Sequence, residues 1–331
     1  MRLWHETDTW QRRNARERLA RLAADDVRRI AVIKHAAFGD LLRLRPFLLL
    51  LREHFSHARI TLSLISHYRR GAPEDLVDRV HVVPGSKEGR GWLATYRAYR
   101  ELGDQDLLFD LTASTRSFII SRLTPARFKI GYQYRSVHQR VYDMAIPRGC
   151  FRFEAETFLD LLHPFGIRYE LPLRFELPVE GEPPSRPSLV YFPTASHPEK
   201  AWPVEHFITL LAEMAQRYPE DEHVILAGLA GWEQQRADDI LAGVGGRANV
   251  RLHPAGADDA ALIHGARLLV ANDTGMRHLG IALGTPTVGI FFSAPPFRYW
   301  PRWGQHQVAW RADGGIPAPS EVAAAMERAL L

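Results

Sequence analysis

The chain has 331 residues, 46% of them hydrophobic and 24% charged, with a formal net charge of +4 when its histidines are neutral. These values fit a globular protein of about two domains at roughly 150 residues each and exclude a disordered chain. No run of about 18 apolar residues is available to span a membrane. The single cysteine, Cys150, excludes an internal disulfide and a cysteine-based zinc cage, and the mild positive charge suits an anionic small molecule or lipid surface but is too small to indicate nucleic acid.

The opening MRLWHETDTWQRRNARERLARLAADD has no apolar core and no cleavage site, so no secretory signal is expected and a cytoplasmic location fits. Residues 1–29 read as an arginine-rich helix, with Trp4, Trp10, Leu19 and Leu22 among Arg12, Arg13, Arg16, Arg18 and Arg21. Such a helix either packs on the first domain or lies on anionic lipid, where it would give the chain peripheral contact with the inner membrane surface. RIAVIK reads as a buried parallel strand, HAAFGD as a turn and LLRLRPFLLLLREHF as a helix. ARITLSLIS and RVHVVPG follow as strands, WLATYRAYRELG as a helix, and DLLFDLT, RFKIGY and the segment near VYDMAIP as further strands. ETFLDLLHPFGI is a helix ending at Gly166. Residues 176–188, ELPVEGEPPSRPS, are rich in proline and glutamate and read as a linker. The alternation then restarts from LVYFPT to PTVGIFF and closes on the helix SEVAAAMERALL. The expected organisation is an extension over 1–28, an α/β domain over 29–178, a linker over 179–188 and a second α/β domain over 189–331, each domain with an open, mostly parallel sheet.

Ligands of such sheets gather at the carboxyl ends of the strands, and three turns there carry polar residues. In LLVANDTGMRHLGIA, a buried strand runs through Asp273, Thr274 and Gly275 into a helix that holds His278. A helix N-terminus offers orphan N–H groups and a positive dipole end, and glycine permits close approach, so this segment can cradle a phosphate or be an ordinary capped helix. In FPTASHPEKAWPVEHF, Ser196 and Lys200 occupy a loop before a helix, where the lysine either neutralises a diphosphate or is simply solvated. In VIKHAAFGDLLRLRP, Asp40 is either a helix N-cap or a general base. The D-x-D triplet Asp104-Gln105-Asp106 has the spacing of metal-dependent sugar transferases but precedes its strand, away from the ligand-binding end. H-E-x-x-H, G-x-G-x-x-G after the first strand, G-x-x-x-x-G-K-[ST] and G-x-S-x-G are all absent, which argues against a zinc hydrolase, a dinucleotide-dependent reductase, a P-loop enzyme and an α/β-hydrolase.

Together the segments IAVIKHAAFGDLL, DLLFDLTASTRSFIISRLTPARFKIGY, ASHPEKAWPVEHF and NDTGMRHLGIALGTPTVGIF resemble glycosyltransferase family 9, the ADP-heptose:lipopolysaccharide heptosyltransferases, over roughly residues 29–310. The resemblance implies a GT-B fold of two Rossmann-like domains facing across a cleft, and an inverting transfer of heptose or a related sugar from an ADP-sugar to an anionic lipopolysaccharide core-type acceptor, with no cofactor and no metal. It implies that Asp40 is the base, that Ser196, Lys200, Asp273, Thr274, Gly275 and His278 line the donor site, and that Glu233 holds the ribose. Arg116, Lys129 and Arg135 are the basic residues that would meet the acceptor. The N-terminal extension is longer than the family pattern, and His35-Ala36-Ala37-Phe38 lacks the small hydroxyl residues common there. The alternatives are the same fold with another nucleotide-sugar or a protein acceptor, and a nucleotide-sugar-binding protein without catalysis.

Overall fold

A computed structural model of the chain describes residues 10–66, 69, 71–85, 88–89, 91–133 and 139–331. It divides into two compact units. One comprises residues up to Cys150 together with Glu154–Leu173; the other comprises Phe151–Phe153 and Arg174–Leu331.

In the first unit the strands are β1 (Trp10–Gln11), β2 (Arg29–Ile33), β3 (Arg59–Ile65), β4 (Arg79–Val83), β5 (Gln105–Asp110), β6 (Ala126–Tyr132) and β7 (Met144–Ile146). Its helices are α1 (Ala15–Ala20), α2 (Phe38–His54), α3 (Trp92–Arg100), α4 (Thr115–Leu123) and α5 (Glu154–Leu159). The sheet order is β1-β7-β6-β5-β2-β3-β4, parallel except that β1 runs antiparallel to β7. The strands β2, β3 and β5 are β-branched or leucine-rich and almost wholly buried, as a sheet covered on both faces requires. The order reverses between β2 and β5, so their carboxyl ends flank the crevice where the crossover connections part.

The second unit holds β8 (Ser188–Phe192), β9 (Glu222–Leu226), β10 (Val250–His253), β11 (Leu268–Asn272), β12 (Thr287–Phe291) and β13 (His306–Trp310), with α6 (Val204–Arg217), α7 (Gly231–Gly243), α8 (Asp259–His264), α9 (Gly275–Ala282) and α10 (Pro319–Leu330). Its sheet is parallel throughout, in the order β10-β9-β8-β11-β12-β13, and reverses between β8 and β11. The helix α6 buries Phe207, Leu210, Leu211 and Met214, an apolar stripe at helical spacing, against the sheet.

Several elements differ from the sequence expectation. Among the described residues the N-terminal segment is not one helix. Trp10 and Gln11 add an edge strand to β7, and only Ala15–Ala20 is α-helical. The segment packs on the first unit: Trp10 lies against Val141, Tyr142 and Ala145, and Arg12 and Arg18 both bond to Asp143. The helix α2 begins at Phe38 rather than after Asp40 and runs through Pro46. The helix α4 was not expected; Ser114 starts it, its hydroxyl accepting from the Ser117 N–H at 3.1 Å. The edge strand β13 was not expected either. The helix predicted to end at Gly166 does end there, on a left-handed glycine (φ 78°), with its second half tightened to a 3-10 helix that contains Pro164.

Candidate functional site

In the first unit, the crevice between β2 and β5 is built from two loops tied to each other. Thr112 Oγ1 donates to the Ile33 carbonyl at 3.2 Å and accepts from the His35 N–H at 2.8 Å. Asp110, fully buried at the end of β5, accepts from the Thr112 and Ala113 N–H groups at 2.9 and 3.0 Å and from the Tyr142 hydroxyl at 2.6 Å. These bonds hold Ala113 at φ 54°, a left-handed conformation that a non-glycine residue adopts only when its surroundings impose it.

Asp40 sits on the first turn of α2, at the carboxyl end of β2. It is not the N-cap, which is Ala37; Asp40 is three residues further on, and its Oδ2 accepts from the Ala37 N–H at a long 3.3 Å. The other oxygen, Oδ1, accepts from the Arg43 guanidinium. Arg43 is buried and also pairs at 2.7 Å with Oε2 of the buried Glu154, whose Oε1 is held by Arg148. Burial pushes the Asp40 carboxyl up, but the charges of Arg43 and Lys34 and the hydrogen bonds from Arg43 and Ala37 outweigh it, and the net shift is downward. Asp40 is therefore an ionised carboxylate whose side chain remains 28% exposed. Lys34 is buried with its ammonium 4.2 Å from the centre of the Phe158 ring. His35 is held neutral: burial first, then the charges of Arg116 and His81, lower its pKa to about 3. The imidazole is thus a weaker candidate for proton transfer than its position suggests. Arg116, on the first turn of α4, acts on His35 and so belongs to this crevice. Lys129 does not join it; its ammonium donates to the Ser121 carbonyl at 2.7 Å, on the last turn of α4. Arg135 lies outside the described residues.

In the second unit the crevice between β8 and β11 is organised by Asn272, the last residue of β11. Its side chain is fully buried, accepts from the Trp202 N–H at 3.0 Å and donates to the Thr194 carbonyl at 3.1 Å. One amide thereby fixes both ends of the loop that carries Ser196 and Lys200. Arg236, on α7, donates to the Pro193 carbonyl at 2.9 Å and to the Trp202 carbonyl. Trp202 is itself anchored by its indole N–H on the Pro317 carbonyl at 2.8 Å. Between these fixed ends Ser196 and Lys200 are exposed, Lys200 closing a single 3-10 turn, Pro198–Lys200.

Thr274 is the N-cap of α9, but its hydroxyl makes no capping bond. Thr274 Oγ1 and Thr194 Oγ1 are both buried with no hydrogen-bond partner among the described residues. Two hydroxyls left in this state on either side of Asn272, next to the orphan N–H groups of the first turn of α9, are polar groups that an anionic oxygen would satisfy. Asp273 and Gly275 flank Thr274 at this turn, and His278 follows on the same turn of helix, buried, its ring 5.9 Å from that of Tyr299. Glu233 stands at the start of α7, after β9, where its Oε2 accepts from the Ala230 N–H at 2.8 Å. It lies so close to Gly228 that a Cβ there would come within 2.4 Å of the carboxylate. The residues that sequence reasoning missed are the supports: Asn272, Arg236, Arg43, Glu154 and Arg148.

Of the D-x-D triplet set aside as a metal site, Asp106 has a structural role. Asp106 Oδ2 accepts from the Arg28 and Arg29 N–H groups, each at 2.9 Å, and orders the entry to β2. Among the described residues, the one group with metal-ligand spacing is His253, the last residue of the edge strand β10, with Asp258 and Asp259, two strands from β8.

The family model described as glycosyltransferase family 9 (heptosyltransferase) matches residues 95–324, which include every second-unit candidate but not Asp40. Over 298 residues the chain is 21% identical to the lipopolysaccharide core heptosyltransferase OpsX of Haemophilus influenzae, covering 82% of this chain and 81% of that protein. Among solved structures it is similar to a glycosyl transferase family 9 protein from Veillonella parvula, with a TM-score of 0.71, 19% identity and coverage of 93% of this chain and 98% of that one. It is similar to the same degree, a TM-score of 0.71 with 18% identity over 91% of this chain and 98% of the other, to E. coli heptosyltransferase WaaC with ADP-2-deoxy-2-fluoro heptose. The expected GT-B class, two Rossmann-like units with parallel sheets, is the class of these neighbours.

Proposed function

Since the chain belongs to glycosyltransferase family 9, and is a glycosyltransferase, we propose that it moves heptose or a related sugar from an ADP-sugar to a lipopolysaccharide core-type acceptor, with inversion and without a required metal. The observation that carries this reading is the pair of polar crevices at the strand-order reversals, an ionised carboxylate in one and a set of phosphate-suited groups in the other. The names of the relatives support the sugar and the acceptor: OpsX is a lipopolysaccharide core heptosyltransferase, and the WaaC structure holds an ADP-heptose analogue.

In this reading the acceptor hydroxyl attacks the anomeric carbon of the donor. Asp40 takes the hydroxyl proton on Oδ2, the oxygen that Arg43 does not hold. The bond from the anomeric carbon to the diphosphate breaks, and its electron pair leaves on the diphosphate oxygen. Lys200, Ser196, Thr274 and the N–H groups at Gly275 and Met276 stabilise that charge, the work a divalent cation does in metal-dependent transferases. Asp273 and His278 shape the same turn, and Glu233 takes the ribose hydroxyls. Arg116 and Arg135 meet the anionic acceptor.

For peripheral contact with an anionic membrane surface, the described residues offer α3. Trp92 is 75% exposed there and shares the outward face with Leu93, Tyr96, Arg97 and Arg100. The reading is tested by thermal shift with ADP, UDP and GDP, followed by turnover of ADP-heptose on a glycolipid acceptor with and without EDTA. Stabilisation by ADP alone and turnover that survives EDTA are expected; stabilisation by UDP or GDP in place of ADP overturns the donor, and loss of turnover in EDTA overturns the metal-free mechanism.

A further inference from the structure

A second polar cavity lies in the first unit, at the amino ends of β6 and β7 and so at the opposite end of the sheet from Asp40. Its volume is about 190 Å³. Five cations line it: Arg12 and Arg18 from the N-terminal segment, Arg122 from α4, Lys129 from β6 and Arg140 from the stretch before β7. The single acid is Asp143.

That carboxylate is already engaged. Oδ1 pairs with Arg18 and, at 3.6 Å, with Arg12; Oδ2 accepts from the Lys129 N–H at 2.9 Å. Arg12 and Arg18 also donate to the main-chain carbonyls of Tyr142, Arg140 and Arg127, which fixes their direction. Arg122 and Arg140 are exposed side chains with no carboxylate partner among the described residues. The charge left over is thus strongly positive, with the Arg12 and Arg18 side of the basin fixed by the fold. Burial, opposed by Asp143 and reinforced by Arg122 and Arg12, lowers the Lys129 ammonium to about 8. A bound anion would relieve that crowding.

We propose that this basin binds a phosphate group, as a free phosphate or phosphomonoester or as the phosphate of a lipid headgroup. Its size favours the group itself. It is smaller than the roughly 300 Å³ from which small-molecule pockets start, and a lining of four arginines and one lysine suits a tetrahedral dianion with several oxygen acceptors. The site does not depend on the proposed transferase reaction, and it gives the arginine-rich N-terminal segment a role, since Arg12 and Arg18 form one wall of it.

The test uses the full-length protein. Inorganic phosphate at ten times its dissociation constant should raise the melting temperature by about 3 °C over chloride at equal ionic strength. The double variant Arg122→Ala/Arg140→Ala should lose this response, and Lys200→Ala, at the donor crevice of the second unit, should keep it. A wild-type response in the double variant, or its loss in Lys200→Ala, overturns the site. Titration with sulfate, which does not itself titrate near pH 8, should draw up to about half a proton from the buffer in the wild type and none in Lys129→Met. Equal uptake in the two proteins overturns the place of Lys129 in it. Co-sedimentation with phosphatidylcholine vesicles containing phosphatidic acid separates the two sources. Sedimentation that phosphate competes away and that the double variant lacks assigns a lipid phosphate; a phosphate response without sedimentation assigns a soluble one.

Discussion

Replacing Arg43 by glutamine should move the acid limb of the pH–rate profile upward. In the native protein the guanidinium gives Asp40 both a charge and a hydrogen bond, and these, with Lys34, outweigh the burial that pushes the carboxyl up. Glutamine leaves burial and the more distant Lys34. An opposite charge in direct contact typically depresses a carboxylate by about 1–3 pH units, each worth about 1.4 kcal/mol, so the acid limb of kcat/KM should rise by about 1–2 units. Stability falls as well, because Arg43 also neutralises Glu154; removing one member of a buried ion pair costs about 3–5 kcal/mol. The sign follows from linkage. A carboxylate whose folded pKa is depressed contributes stability above its unfolded pKa, about 3.9, and loses it as the pH falls through the folded value. This part of the difference between native and variant proteins should therefore be largest near neutrality and vanish only once the pH falls below the depressed folded value of the native protein. Arg43→Lys keeps the charge and should restore most of the acid limb, which separates electrostatics from misfolding. The assay is kcat/KM against pH at fixed ionic strength, with a melting curve at each pH. A glutamine variant that is folded across the range, and whose acid limb overlays the native one, would refute the account of Asp40.

Asp40→Asn removes the proton acceptor while keeping size and shape. Turnover should fall by about 10²–10⁴-fold, with the melting shift on adding ADP unchanged; near-native turnover would remove Asp40 as the base. Lys200→Ala should weaken ADP affinity by at least about tenfold in calorimetry without altering the melting temperature of the free protein, since the side chain is exposed. Asn272→Ala deprives the Trp202 N–H and the Thr194 carbonyl of their partner. At about 1–3 kcal/mol for each of the two buried groups left unsatisfied, chemical denaturation should show a loss of about 2–6 kcal/mol, and the KM for the donor should rise because the loop bearing Lys200 is released.

The polar turns proposed to face a ligand were legible in the sequence because the signal for each is local. Asp273-Thr274-Gly275 and Asp40 stand where an apolar β-branched run gives way to a helix, and Ser196 and Lys200 stand in a polar stretch between such a run and Trp202-Pro203. The supports were not legible because they are non-local. Nothing near Arg43 announces Glu154 or Arg148, and Asn272 reads as one more polar residue of a turn until the fold brings Trp202 and Thr194 to its amide. The N-terminal segment misled for the same reason. Its arginine spacing suits a helix, but Trp10 and Gln11 find backbone partners in Ala145 and Met144, which no local pattern foretells. The alternative in which Asp40 caps its helix failed by one turn, because Ala37, a poor capping residue, takes that position.

The two crevices share a construction that bears on how the proposed reaction would be controlled. In each, a fully buried polar side chain at the end of a central strand, Asp110 or Asn272, uses its lone pairs and N–H groups on the backbone of the neighbouring loop. A buried polar group is tolerated only when its bonds are made, so each loop is locked wherever that residue reaches it. The loop apex is left out of the lock, and it is there that Ser196 and Lys200 are exposed. Asp40 differs, since it stands on a helix and is restrained by a charge, not by an amide. The loop from Thr194 to Trp202 is therefore fixed at its ends and exposed at its tip, an arrangement that fits the proposed contact with a donor diphosphate. The carboxylate is fixed in protonation state and direction before any substrate arrives. In the proposed reaction, binding energy from the donor would be spent on ordering the Lys200 tip alone, so Asn272→Ala should act on donor KM while Arg43→Gln acts on the pH dependence of turnover.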